Sequence, residues 1–211
     1  MIDTFMTFFK DGGVFMYPIA IIGAVGVGVV IERLISLIMH SQQITESTGV
    51  FEKKMSNNKG EALKSLEGGK SLLSSTLSEA VKSYQSHPVS KEEFEELVGI
   101  KAVHSLRRLT RRTTVISTLA NVATLLGLLG TIFGLIQSFA SVAEAAAEDK
   151  SAMLSASVSI AMNTTAFGLM VAIPLLLVFL FVDNLSNKTL EHLQVGCATV
   201  INRLYSAQHN I

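Results

Sequence analysis

Two long apolar stretches restrict what this chain can fold into more than anything else in it. Residues Val115–Val142 read VISTLANVATLLGLLGTIFGLIQSFASV, and Met153–Val182 read MLSASVSIAMNTTAFGLMVAIPLLLVFLFV; neither holds an aspartate or a glutamate. Each is long enough to cross a bilayer, which needs about 20 apolar residues at a rise of about 1.5 Å each. A helix that only faced lipid would be built from Leu, Ile, Val and Phe. These two instead carry Gly, Ser and Thr at helical spacing, which points to close helix packing or to a lining that a small ion can touch.

A third apolar run, Val14–Ile31, ends in Glu32-Arg33 and resumes as LISLIM to Met39. It is too long for the core of a secretory signal, and Asp3 and Asp11 offset the lone early base Lys10, so it reads as a retained span. The fold expected is an all-α membrane protein with three transmembrane helices and long cytoplasmic helical extensions. Its parts are an N-terminus (1–13), spans at 14–39, 114–142 and 153–182, a large loop (40–113), a short loop (143–152) and a C-terminal helix (183–211).

Orientation follows from charge. Twelve Lys and Arg lie between Met39 and Thr113, ending in Arg107, Arg108, Arg111 and Arg112, whereas the short loop offers Lys150 beside Glu144, Glu148 and Asp149. The positive-inside rule puts the large loop and the C-terminal tail in the cytoplasm and the N-terminus and short loop outside. The expected location is a membrane that bounds the cytoplasm.

Within the large loop, Gly49, NNKG (Asn57–Gly60), GGK (Gly68–Lys70) and His87-Pro88 read as interruptions. Ser90 with Glu93 forms a capping box, and the helix it starts is expected to run straight into the second span. In the tail, Leu190, Leu193, Cys197, Val200 and Leu204 recur at steps of three and four, a seam that asks for a partner such as the Ser90 helix.

The residue inventory narrows the function. A net formal charge of zero gives no reason to propose nucleic acid. One cysteine excludes an intrachain disulfide. No His, Cys, Asp or Glu occurs in the second or third span, and His40, His87, His104, His192 and His209 form no metal-spaced pair, so neither an enzyme nor a metal site or cofactor is expected.

In the second span Ala123, Gly127 and Thr131 share one face, and Gly130, Gly134 and Ser138 a neighbouring one. Gly130 and Gly134 are spaced for close approach of two backbones, and Thr131 could be satisfied by the carbonyl four residues back. In the third span Ser157, Ala161 and Thr165 share a face. Asn163 and Thr164 must point elsewhere, since successive helical residues turn by about 100°. Pro174 removes a backbone hydrogen bond and is expected to loosen the helix near Met170.

With LLGLLGTIFGLIQSF at Leu125–Phe139, TTAFGLMVAIP at Thr164–Pro174 and DGGVFMYPIAIIG…VIERL at Asp11–Leu34, the chain resembles the MotA/TolQ/ExbB family of ion-conducting motor subunits, in its three-span ExbB/TolQ branch. The resemblance implies a homopentamer around a dimer of a single-span ExbD/TolR-like partner whose membrane aspartate carries the ion. Carried over by motif, Thr131 and Thr165 line the path, with Gly127, Gly130, Gly134, Asn163, Thr164, Gly168 and Pro174 packing or standing beside it. A proton relay needs a titratable group at membrane depth, and spans two and three have none, which fits a carrier supplied by another subunit. The sequence departs from the family at Ile160, where a glutamate is common. The neutral oxygens nearby suit sodium as well as a proton-carrying water chain. A non-conducting scaffold held together by small-residue packing is the alternative.

Overall fold

The computed structural model describes residues 13–67, 69, 71–87, 89–144, 146 and 148–206. The N-terminal segment through residue 12 and the last five residues, both assigned to compartments above by charge, lie outside these. The described residues contain helices and no strand: α1 (Met16–Asn57), α2 (Lys59–Glu67), α3 (Leu72–Ser86), α4 (Lys91–Glu144) and α5 (Lys150–Ser206). Three of them, α1, α4 and α5, contain a stretch long and apolar enough to cross a membrane.

Local chemistry sets most of the ends. Gly13 adopts φ +76°, a conformation that suits glycine, and its carbonyl accepts from the Met16 amide to begin α1. The Ser71 hydroxyl caps α3 by accepting from the Ser74 amide at 3.1 Å, and Ser90 caps α4 by accepting from the Glu93 amide at 3.1 Å. Breaks occur at Asn58, between Glu67 and Leu72, and between Ser86 and Lys91, as the polar and glycine-rich runs lead one to expect. Gly49 is a correction: α1 passes through it without interruption to Asn57. Glycine costs a helix only about 1 kcal/mol, and the buried Ile44 and Phe51 on either side hold this stretch in place. Pro174 lies inside α5, which continues on both sides of it.

The chain divides into two compact units, one of Met1–Ile31 with Thr114–Phe181 and one of Glu32–Thr113 with Val182–Ile211. The first is the membrane unit. Its buried residues include many small ones, with Ala120, Ala123, Ala161 and Ala172 all at 2% exposure or less, beside Met16, Ile19 and Ile116. Its outer surface is covered with large apolar side chains such as Ile21, Leu125, Ile136, Phe139 and Phe181. So much exposed apolar surface is untenable in water and natural in lipid.

The second unit has an ordinary apolar core. Leu37, Ile44 and Phe51 form a buried stripe along α1 at steps of seven. The tail positions Leu190, Leu193, Cys197, Val200 and Leu204 are all buried. The tail meets the Ser90 helix: the Tyr205 hydroxyl shares its one hydrogen between the Val89 and Ser90 carbonyls, and Tyr84, Phe94 and Tyr205 form an edge-to-face cluster with centroids 5.7–6.1 Å apart. It also meets α1 and α3, because a Cβ at Gly196 would stand 2.9 Å from the Thr48 hydroxyl and 3.1 Å from Leu73. Burial pushes the Cys197 thiol up to about 12, so it remains protonated and chemically quiet at neutral pH.

Candidate ion-path site

The seam between α4 and α5 in the membrane unit is built from residues too small to keep two backbones apart. A Cβ placed on Gly168 would sit 2.8 Å from the Ala123 carbonyl oxygen and 3.0 Å from the Gly127 Cα. On Gly127 it would meet the Gly168 and Thr165 Cα atoms at 3.3 Å. Gly134 faces Ala161 in the same way, and Gly130 accommodates the Thr164 methyl and Phe15. Phe15 in turn stacks edge-on against Phe133, with centroids 5.5 Å apart. Three glycines of α4 at steps of three and four therefore share one seam with Gly168 of α5.

The two candidate threonines both belong to this unit. Thr165 Oγ1 donates to the Gly127 carbonyl across the seam at 2.8 Å. Thr131 Oγ1 donates within its own helix to Leu128, at 2.7 Å, and not to Gly127 four residues back. The Gly127 carbonyl that Thr131 could have used carries the cross-helix bond from Thr165 instead. Each hydroxyl spends its single hydrogen on a carbonyl, so each oxygen keeps lone pairs that can only accept. Both residues are half-buried. The arrangement can receive a hydrogen bond from water or from a protonated carboxyl, or can coordinate a cation.

The other named residues sort differently. Thr164 is buried and bonds back to the Ile160 carbonyl at 3.2 Å. Asn163 is half-buried and makes no side-chain hydrogen bond among the described residues. Ile160, at the position where the resemblance leads one to expect a glutamate, is 41% exposed in the single chain. Pro174 lies outside the seam, on an apolar cleft of about 520 Å³ that it lines with Ala20, Gly23, Ala24 and Val171. Ser138 is 1% exposed and its hydroxyl has no partner among the described residues.

Two further close approaches escaped the sequence reading. A Cβ on Gly23 would stand 3.1 Å from Val171, and on Gly26 2.8 Å from Leu175. The signal was available as a glycine pair three residues apart in the first apolar run, and it shows α1 packed onto α5 by the same small-residue device. Among the described residues no group of His, Cys, Asp and Glu could hold a metal.

The profile of the MotA/TolQ/ExbB proton channel family matches residues 65–195, more than half of the 211-residue chain. The chain belongs to the MotA/TolQ/ExbB proton channel family. The match includes the whole α4–α5 seam and both candidate threonines. Membership makes this a membrane protein of the ion-conducting, motor-subunit type, from a family of oligomeric channels that associate with partner proteins, and not from a known enzyme family. No curated protein matches the sequence.

Proposed function

We propose that the protein is an inner-membrane motor subunit that couples ion flow to movement of a single-span ExbD/TolR-like partner, as five copies around a partner dimer. The observation that carries this reading is chemical. Spans two and three present hydroxyl oxygens set as acceptors but no titratable group, so the seam can touch an ion yet cannot relay a proton alone. A partner carboxylate supplies the missing group. Protonated, it donates to Thr131 or Thr165 and can slide past the apolar helix surface. Ionised, it carries a penalty of about 2.5–3.5 kcal/mol at membrane depth, which biases the direction of its next step. The membrane potential contributes about 2.3 kcal/mol per charge per 100 mV. The basic loop faces the cytoplasm in this reading, and the ion enters from the side of the short loop and the N-terminus.

Proton is the coupling ion we assign, with sodium as the competing one because Ile160 leaves only neutral oxygens nearby. Thr131→Val and Thr165→Val keep the side-chain shape and delete the hydroxyl. Each is expected to abolish coupled activity while subunit expression and oligomer size hold. Full activity in both variants would reduce the threonines to packing residues and favour a scaffold. Activity that follows sodium at a fixed proton gradient would reassign the ion.

A further inference from the structure

Arg33 is an anomaly. It follows directly on the first apolar run, is 3% exposed, and has one Nη donating to the Leu109 carbonyl. Its Nε is buried and has no hydrogen-bond partner among the described residues. A buried guanidinium N–H without an acceptor is costly, and among the described residues no carboxylate forms an ion pair with this side chain. The side chain instead lines a cavity of about 270 Å³, shared with Ser36, His40, Leu72, Leu109 and Arg112. His40 Nδ1 lies 2.5 Å from the Ser36 carbonyl, which can only accept, so Nδ1 carries the hydrogen and Nε2 is the ring's remaining polar atom. Arg112 is exposed and pairs with Glu32 at 3.0 Å. Two guanidiniums against that single outlying carboxylate leave the cavity one positive charge in excess.

We infer that this cavity is a phosphate-binding site, occupied by the headgroup phosphate of an anionic lipid or by free phosphate. A phosphate oxygen accepts from Arg33 Nε and satisfies the orphaned donor. A second oxygen draws Arg112 from Glu32 into the planar, charge-assisted contact that guanidinium makes with phosphate. The Ser36 hydroxyl is available to donate to a third. Arg33 stands at the end of one apolar run and Arg112 just before another, the level where basic pockets meet lipid headgroups. The inference does not depend on the motor reading, because it concerns ligand retention and not ion coupling.

The test is native mass spectrometry of the full-length protein in mild detergent, titrated with phosphatidylglycerol or phosphatidylcholine of matched acyl chains. Phosphatidylglycerol should be retained about tenfold more strongly, the equivalent of about 1.4 kcal/mol. Arg112→Gln and Arg33→Lys should each remove that preference. Glu32→Gln, which frees Arg112, should increase it. Arg112→Gln breaks only an exposed pair, so the fold should survive it even where Arg33→Lys does not express. Displacement of the lipid by millimolar inorganic phosphate would show that free phosphate occupies the cavity, and no displacement would assign it to the lipid. Equal retention of the two lipids without binding of inorganic phosphate would overturn the inference. So would a preference that persists in Arg112→Gln.

Discussion

The two units of this chain solve the same packing problem with different balances of large and small residues. In the unit of Glu32–Thr113 and Val182–Ile211, large side chains fill the interior: Phe51, Phe94, Leu73, Leu77, Leu193 and Leu204 are all at 2% exposure or less. In the membrane unit the backbones of α4 and α5 meet at Gly127, Gly134, Gly168 and Ala161; Met16, Ile19 and Ile116 are buried as well, but many large apolar side chains, such as Leu125, Ile136 and Phe139, are outside. The difference is one of solvent. Water drives Leu and Phe inward, at about 25 cal/mol for each Å² buried. Lipid gives no such push, because acyl chains are as apolar as leucine. Helices there associate through close van der Waals contact and through hydrogen bonds such as Thr165 to Gly127.

Charge separates the two units as well. In the unit of Glu32–Thr113 and Val182–Ile211 the charged side chains among the described residues, Arg33 excepted, are at least partly exposed, and Lys101 bonds Glu79 at 2.7 Å between α3 and α4 and holds that carboxyl below its usual range. In the membrane unit each candidate hydroxyl donates to a backbone carbonyl, the internal partner that a polar group at membrane depth needs.

Substitutions that exchange the materials of the two units should expose the contrast. Gly168→Val should have the largest effect. Its Cβ would press on backbone atoms of α4, which cannot rotate away as a side chain would, so the seam must open; the variant should fail to accumulate in the membrane. Normal accumulation and an unchanged melting temperature would show that the seam is not rigid. Phe94→Ala, in the other unit, should lower stability by about 3–5 kcal/mol, read in a chemical or thermal melt, through loss of the aromatic cluster with Tyr84 and Tyr205. Thr165→Val should cost only about 0.6–2 kcal/mol of stability, the range for a hydrogen bond between membrane helices. A loss near that of Phe94→Ala would mean the hydroxyl is chiefly structural. Gly99→Ala should be the smallest effect and of opposite sign. Nothing lies within 4 Å of a Cβ there, so relief of helix entropy should stabilise α4 by about 0.5–1 kcal/mol. A destabilised variant would place an unseen neighbour at that face.

Much of this molecule follows from residue order alone. A helix satisfies its own backbone, so an apolar run of sufficient length becomes a helix in lipid whatever its neighbours do. That is why three apolar spans, the absence of carboxylates from two of them, and the Ser90 cap were legible without coordinates. The motif glycines were legible too, because small residues at steps of three and four mark a packing face on any helix. Gly49 was misread for the complementary reason: its propensity argues for a break of about 1 kcal/mol, and burial of Ile44 and Phe51 outweighs it.

Only the tertiary structure decided which partners the polar groups take. Thr165 bonds a carbonyl 38 residues away, and Arg33 reaches one 76 residues away. Neither pairing follows from spacing along a single helix, because each depends on how one helix is rotated and shifted against another. A helix's periodicity names the face a residue occupies. The atoms opposite that face are chosen by the fit of two whole surfaces, a choice made over dozens of contacts at once and encoded in no single motif.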